Sequence, residues 1–186
     1  AHLLKEQIAL RDVAHIGLAG GNTPRAMYAV LATLPGIDWS RIHFWWGDER
    51  CVPESDKNSN ERMARETLLS RLPVSTWTAH PVPTKLPPPA CAAAYEAELR
   101  KHCELHPASG MPIIDVLLLG IGDDGHTLSL FPGSPTLLEK SKAVASTTAP
   151  PTSPVKDRIT LTIPAARAAR YRIFLAVGAD KKPLVR

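Results

Sequence analysis

Asp124 and His126 stand two residues apart inside a glycine-rich run, Gly120-Ile-Gly-Asp-Asp-Gly-His-Thr127, that follows the apolar stretch "IIDVLLL". Histidine titrates near neutrality and is the natural general base, and a carboxylate close by can hold or polarise its ring. Of the seven histidines in the chain, His126 is the best catalytic candidate. The backbone N–H groups of Gly122 and Gly125 are candidates to meet a developing oxyanion. The same run also spells G-x-G-x-x-G, the spacing of a dinucleotide-binding turn. Three features oppose a nucleotide. Asp123 and Asp124 would repel a pyrophosphate; Pro132 and Pro135 arrive too soon for the helix that should follow; and the run lies two-thirds along the chain, not after the first strand.

Other polar clusters also follow apolar runs. In "AGGNTP" (19–24), Gly20 and Gly21 let backbone N–H groups approach a ligand, and Asn22 and Thr23 add side-chain donors. The start of the following helix contributes partial positive charge, so the stretch suits a phosphate; a tight turn with a cap is the plainer reading. No G-K-[ST] follows, so it is not a Walker loop. In "GDERCVP" (47–53), Arg50 can fork onto a phosphate and Asp48 can act on a substrate proton or hydroxyl. The plainer reading there is a structural ion pair at a sheet edge. In "HCELH" (102–106), His102 and His106 stand at i and i+4, but the acid falls one position later than H-E-x-x-H requires and Pro107 ends the helix nearby. Histidines favourable to a helix dipole explain that pattern without a metal.

The elements that must position these clusters alternate. Strands are expected at 14–20, 41–49 and 112–122, and again at "AVAST", "RITLTI" and "YRIFLAVG". Helices are expected over 23–34, with Pro24 at its first position, over 59–72, with Ser59 or Asn60 as N-cap, over 90–105, and briefly at "PAARAAR". "PVPTKLPPPA" is an irregular proline-rich connection. Alternation of this kind implies an α/β domain with a mostly parallel sheet, whose ligands sit beyond the carboxyl ends of the strands. Four such ends carry polar residues: "GLAGGNTP", "WWGDERCVP", "GIGDDGHT" and "AVGADKK".

Bulk properties narrow the classes. A length of 186 residues suits one domain with its own core, and 44% hydrophobic with 22% charged residues is ordinary for a globular protein. The net charge of +4 suits small anions but is too weak and scattered for nucleic acid. No apolar stretch reaches the ~20 residues of a membrane span. The three cysteines, Cys51, Cys91 and Cys103, read as free thiols of a reducing compartment, with cytoplasm the default. Both ends look trimmed, since the N-terminus lacks a starting Met and "GADKKPLVR" stops where a helix would begin.

The blocks "GGNTP", "FWWGDERCVP…SN", "DVLLLGIGDDGHTLSLFPGS" and "DRITLTIPA" occur in this order and cover about 16–181. Together they resemble the 6-phosphogluconolactonases, relatives of the glucosamine-6-phosphate deaminases. The resemblance implies a Rossmann-like three-layer α/β/α fold and hydrolysis of a phosphorylated sugar lactone, without metal or organic cofactor. A monomer or small homo-oligomer is expected, a state that the sequence itself does not reveal. The resemblance matches His126 to the base that activates water and Arg50 to a phosphate ligand. Arg158 and Lys181 match further anion-binding positions, with Lys156 a less close match, and Gly125 and Thr127 belong to the D-G-H-T block around the substrate. The deaminases set the alternative. They read D-E-Y where this chain has Asp48-Glu49-Arg50, and carry an acidic Asn-Glu segment where it has Ser129-Leu130-Phe131. A sugar-phosphate sensor on the same fold would keep the anion ligands and could discard the base. The chain departs from the lactonase pattern at Leu128, where the family usually has Ala.

Overall fold

The computed structural model describes residues 1–73 and 77–184. Five parallel strands form the central sheet: β1 (Ala14–Leu18), β2 (Ile42–Trp46), β4 (Thr78–Ala79), β5 (Val116–Gly120) and β8 (Tyr171–Leu175), in the order β4-β2-β1-β5-β8. Three further strands, β3 (Asp48–Arg50), β6 (Val144–Thr148) and β7 (Asp157–Leu161), form a second, antiparallel sheet in the order β3-β7-β6. Helices α1 (His2–Arg11), α2 (Asn22–Leu31), α3 (Asn60–Thr67), α4 (Pro88–His102) and α5 (Ile163–Ala168) flank these sheets, so the α/β reading holds. The central strands are nearly continuous apolar runs because both faces are covered: Ile16, Leu18, Phe44, Trp45 and Leu117 are all essentially buried.

The expected strand over 41–49 is in fact two. The chain leaves the parallel sheet at Trp46 and joins the antiparallel one at Asp48, with Gly47 as the junction. Gly47 N–H donates to Leu18 O at 2.9 Å, and its carbonyl accepts from Leu161 N at 2.8 Å, so one residue is bonded into both sheets. A Cβ there would come within 2.6 Å of the Leu128 side chain. Two helix starts also differ from expectation. Pro24 is the third residue of α2, not the first, and α4 begins at Pro88 inside the proline-rich connection, with Pro at its opening positions.

Strand order explains where a ligand can sit. From β1 the chain moves to β2 on one side, and later returns to place β5 on the other. The loops after β1 and β5 therefore diverge from neighbouring strand ends and open a crevice there. Tyr95 of α4 stiffens that end: its hydroxyl donates to Trp46 O at 3.0 Å and accepts from Trp46 N at 2.8 Å. Tyr28 of α2 does the same for Ala19, at 2.9 and 2.8 Å.

Candidate active site

A cleft of about 620 Å³ opens at this switch point. Gly20, Gly21, Asn22 and Thr23 reach it from the turn between β1 and α2, and Asp48 and Arg50 from β3. Asp124 and His126 line it from the loop after β5, Arg158 from β7, and Lys181 from the short 3-10 turn after β8. Gly125 and Thr127 stay out of the lining.

His126 is fixed by its own loop. Its Nδ1 contacts Asp124 Oδ1, its backbone N–H donates to the same oxygen at 3.1 Å, and the Phe131 ring packs against it with centroids 4.6 Å apart. Partial burial works to raise the Asp124 carboxyl, but its hydrogen bonds with the ring and backbone of His126 outweigh that and leave it below its ordinary value. With Nδ1 turned to the carboxylate, Nε2 is the nitrogen left to take a proton. One expectation is corrected. Gly122 N–H donates to His126 O at 2.8 Å and Gly125 N–H to Gly122 O at 3.1 Å, so the turn consumes the two donors assigned to an oxyanion. Gly125 serves the turn through its positive φ of 83°.

The cationic wall lies on one rung of the antiparallel sheet, where Arg50 and Arg158 are directly opposite. Arg50 donates to Asn58 O, while its buried Nε has no partner among the described residues. Arg158 is buried and bonds only neutral oxygens among those described, Val155 O at 3.2 Å and Ser153 Oγ at 2.7 Å. Burial first, and then the charge of Arg50, lower the Arg158 guanidinium from its ordinary value, though it stays protonated. Lys181 pairs with Asp123 across the mouth. Lys156 instead folds onto the carbonyls of Pro150, Pro151 and Ser153, bracing the loop that presents Ser153 to Arg158.

Three residues without an assigned role hold this wall in place. Glu49 points to the opposite face of β3 from Asp48 and Arg50, as period-two alternation requires, and is 2% exposed. Its carboxylate accepts from the backbone of Arg50 (2.7 Å), Asn60 (2.8 Å) and Glu61 (2.7 Å), joining β3 to the N-terminus of α3. Burial pushes this carboxyl up to about 7 against the pull of those N–H groups. Asn60 donates to Asp48 O at 2.9 Å and abuts Gly20 so closely that a Cβ there would fall 2.0 Å from its Oδ1. Ser129 donates to Asp48 Oδ2 at 2.7 Å. The alternation was a usable signal for Glu49; the Asn60 and Ser129 contacts span distant loops and left no local trace. Because the folded value of Glu49 lies above the ordinary one, the native state binds the proton more tightly than the unfolded chain, so stability should fall as pH rises from about 4.5 to about 7. Glu49→Gln should flatten that fall in pH-dependent unfolding; an unchanged slope would mean that Glu49 does not titrate in the folded site.

Strand-end clefts that set cations against a histidine–carboxylate pair characterise α/β enzymes acting on small anions. The chain belongs to the family described as glucosamine-6-phosphate isomerases/6-phosphogluconolactonase, whose profile matches residues 1–186. It is 39% identical over 183 residues to a 6-phosphogluconolactonase of Synechocystis sp., covering 96% of this chain and 72% of the relative. It is 40% identical over 181 residues to one of Streptomyces coelicolor, covering 93% and 69%. The solved 6-phosphogluconolactonase of Trypanosoma brucei superposes with a TM-score of 0.87 at 33% identity, over 99% of this chain and 77% of that one.

Proposed function

We propose that the chain hydrolyses 6-phospho-D-glucono-1,5-lactone to 6-phospho-D-gluconate, the lactone-opening step of the oxidative pentose phosphate pathway. The observation that carries this reading is the His126–Asp124 pair facing the same cleft as the Arg50–Arg158 rung. The phosphate docks on the two guanidiniums, Lys181 and the N-terminus of α2 at Gly20, Gly21, Asn22 and Thr23, where first-turn N–H groups lack helical partners. Remote binding of that anion orients the lactone carbonyl at His126. Nε2 of His126 takes a proton as water attacks, and Asp124 holds the ring and offsets the charge it gains. Collapse of the tetrahedral intermediate breaks the ring ester bond; the departing ring oxygen takes the proton back from Nε2 and becomes the C5 hydroxyl of the acid. Asp48, fixed by Asn60 and Ser129, sets the floor of the site.

The deaminase alternative needs acidic groups to move protons around a sugar ring. Here Ser129 bonds Asp48 and Phe131 packs on His126, so that segment supports the catalytic loop and adds no carboxylate. Supplying fresh lactone and glucosamine 6-phosphate in parallel separates the readings. Acid release alone is the expected result; ammonia release means a deaminase, and phosphosugar binding with neither product means a sensor. Arg50→Ala should raise KM for the lactone by roughly 10–100-fold, the loss of one or two charge-assisted hydrogen bonds, with a smaller effect on kcat. An unchanged KM removes Arg50 from the phosphate site. No described helix is long and apolar enough to cross a membrane. The three free thiols favour a cytoplasmic setting, where the chain acts as a monomer or small homo-oligomer on a small-molecule substrate.

A further inference from the structure

The "HCELH" stretch acquires a different meaning once the chain is folded. His106 turns away: its Nδ1 accepts from Ser109 N at 3.3 Å, within its own loop. His102, the last residue of α4, instead meets two histidines distant in sequence, His43 on β2 and His80 just past β4. One ring nitrogen from each lies within 4.8 Å of the others. We propose that His43, His80 and His102 form a binding site for a divalent transition ion of the zinc class, with Glu98 orienting two of the imidazoles.

The geometry carries this beyond three rings in contact. His80 Nε2 and His43 Nδ1 face each other at 3.0 Å. A tetrahedral ion with Zn–N bonds of about 2.0–2.1 Å spaces its ligand nitrogens roughly 3.3 Å apart, so this pair needs to open by only a few tenths of an ångström. The other nitrogen of His80, Nδ1, lies 3.0 Å from Glu98 Oε1. That is the carboxylate–histidine pairing which fixes the tautomer and leaves the opposite lone pair for a metal. The same Glu98 oxygen lies 3.1 Å from His102 Nε2, one helical turn along α4. Trp45 stacks flat on His80, with centroids 3.9 Å apart and planes 4° from parallel, and so fixes the ring's tilt.

The neighbouring His15 is excluded, because its Nδ1 accepts from Trp45 Nε1 at 3.0 Å. His80 is buried while His43 and His102 are half-buried, so an ion can enter from solvent and keep a water or a Glu98 oxygen as fourth ligand. Imidazoles with a carboxylate suit zinc, cobalt or nickel and disfavour calcium or magnesium. His43 is the second residue of β2, whereas the catalytic cleft lies past the strand's far end. The ion therefore ties β2, the end of β4 and the C-terminus of α4 together, and takes no part in lactone opening.

The test uses tag-free protein stripped with a chelator, then titrated with Zn²⁺ by calorimetry and with Co²⁺ by visible absorption. One equivalent of each should bind, with Co²⁺ giving the intense bands of a four-coordinate ion. His102→Ala and His43→Asn should each weaken Zn²⁺ binding by at least ~100-fold, and Glu98→Gln by ~10–100-fold. His126→Asn should bind as the parent does. Circular dichroism establishes that each variant is folded, and the two half-buried histidines give independent variants should one fail. Absence of stoichiometric binding to the parent overturns the proposal. So does affinity unchanged in both His102→Ala and His43→Asn, or binding lost in His126→Asn alone, which would move the ion to the cleft.

Discussion

Replacing His126 with alanine is expected to lower kcat for lactone hydrolysis by about 10²–10⁴-fold, the range for loss of a positioned general base. Affinity for the product should change little, because the proposed anion ligands, Arg50, Arg158, Lys181 and the start of α2, line the cleft from other elements. The split between kcat and binding is the diagnostic part. A ring that only filled space would, when removed, loosen Phe131 and the loop and weaken binding as much as turnover. Initial rates on fresh lactone, corrected for uncatalysed opening, and calorimetry with 6-phosphogluconate measure the two quantities. Near-normal turnover in the variant would end the assignment of His126 as the base.

Gly122→Ala should come close to the same loss without touching a reacting group. A Cβ at Gly122 would lie 2.2 Å from His126 Cε1, 2.3 Å from Nδ1 and 2.9 Å from Asp124 Oδ1. Ordinary carbon contacts are about 3.5–4.0 Å, so the imidazole must move by more than about 1 Å or leave its carboxylate. A displacement of that size at a reacting centre costs on the order of 10²-fold. Gly122 is not among the positive-φ residues, so alanine is conformationally admissible there and the effect falls on the ring, not on the backbone. kcat should fall by roughly 10²-fold with KM nearly unchanged and a thermal midpoint within a few degrees of the parent. Parent-like kcat would show that the ring can work from a second position.

The parallel core declared itself through apolar runs that admit no other use: "IIDVLLL" becomes β5, with Val116–Leu119 buried, and "IHFWW" becomes β2. The strand-end rule then gathered "GGNTP", "DER" and "DDGHT" into one crevice. The second sheet was less visible. β3 is three residues long and pairs with β7 more than a hundred positions away, as between Asp48 and Thr160, while β6 and β7 pair within 20 positions, so local periodicity cannot distinguish any of them from strands of the first sheet. Gly47 hid the break for the same reason, since an apolar run reads continuously across a residue that changes partner. The glycine turn misled in another way. Its composition implied exposed N–H groups, but a turn tight enough to present His126 spends those donors on its own carbonyls.

The Arg50–Arg158 rung reaches into the folding equilibrium itself. Two like charges lie opposite each other on paired strands, and with one of them buried the native chain carries a repulsion that the unfolded chain escapes. On the proposed docking, a phosphate dianion seated between them would relieve it and bind only the native form, adding RT ln(1 + [L]/Kd) to stability, or about 2.7 kcal/mol at a hundredfold excess over Kd. The thermal midpoint should therefore climb with 6-phosphogluconate concentration, in the slowed His126→Ala variant as in the parent, and need roughly 10–100-fold more ligand for the same rise in Arg50→Ala. Such a chain would be most resistant to unfolding and proteolysis while its product is abundant, and would lose that protection as the supply of phosphosugar falls.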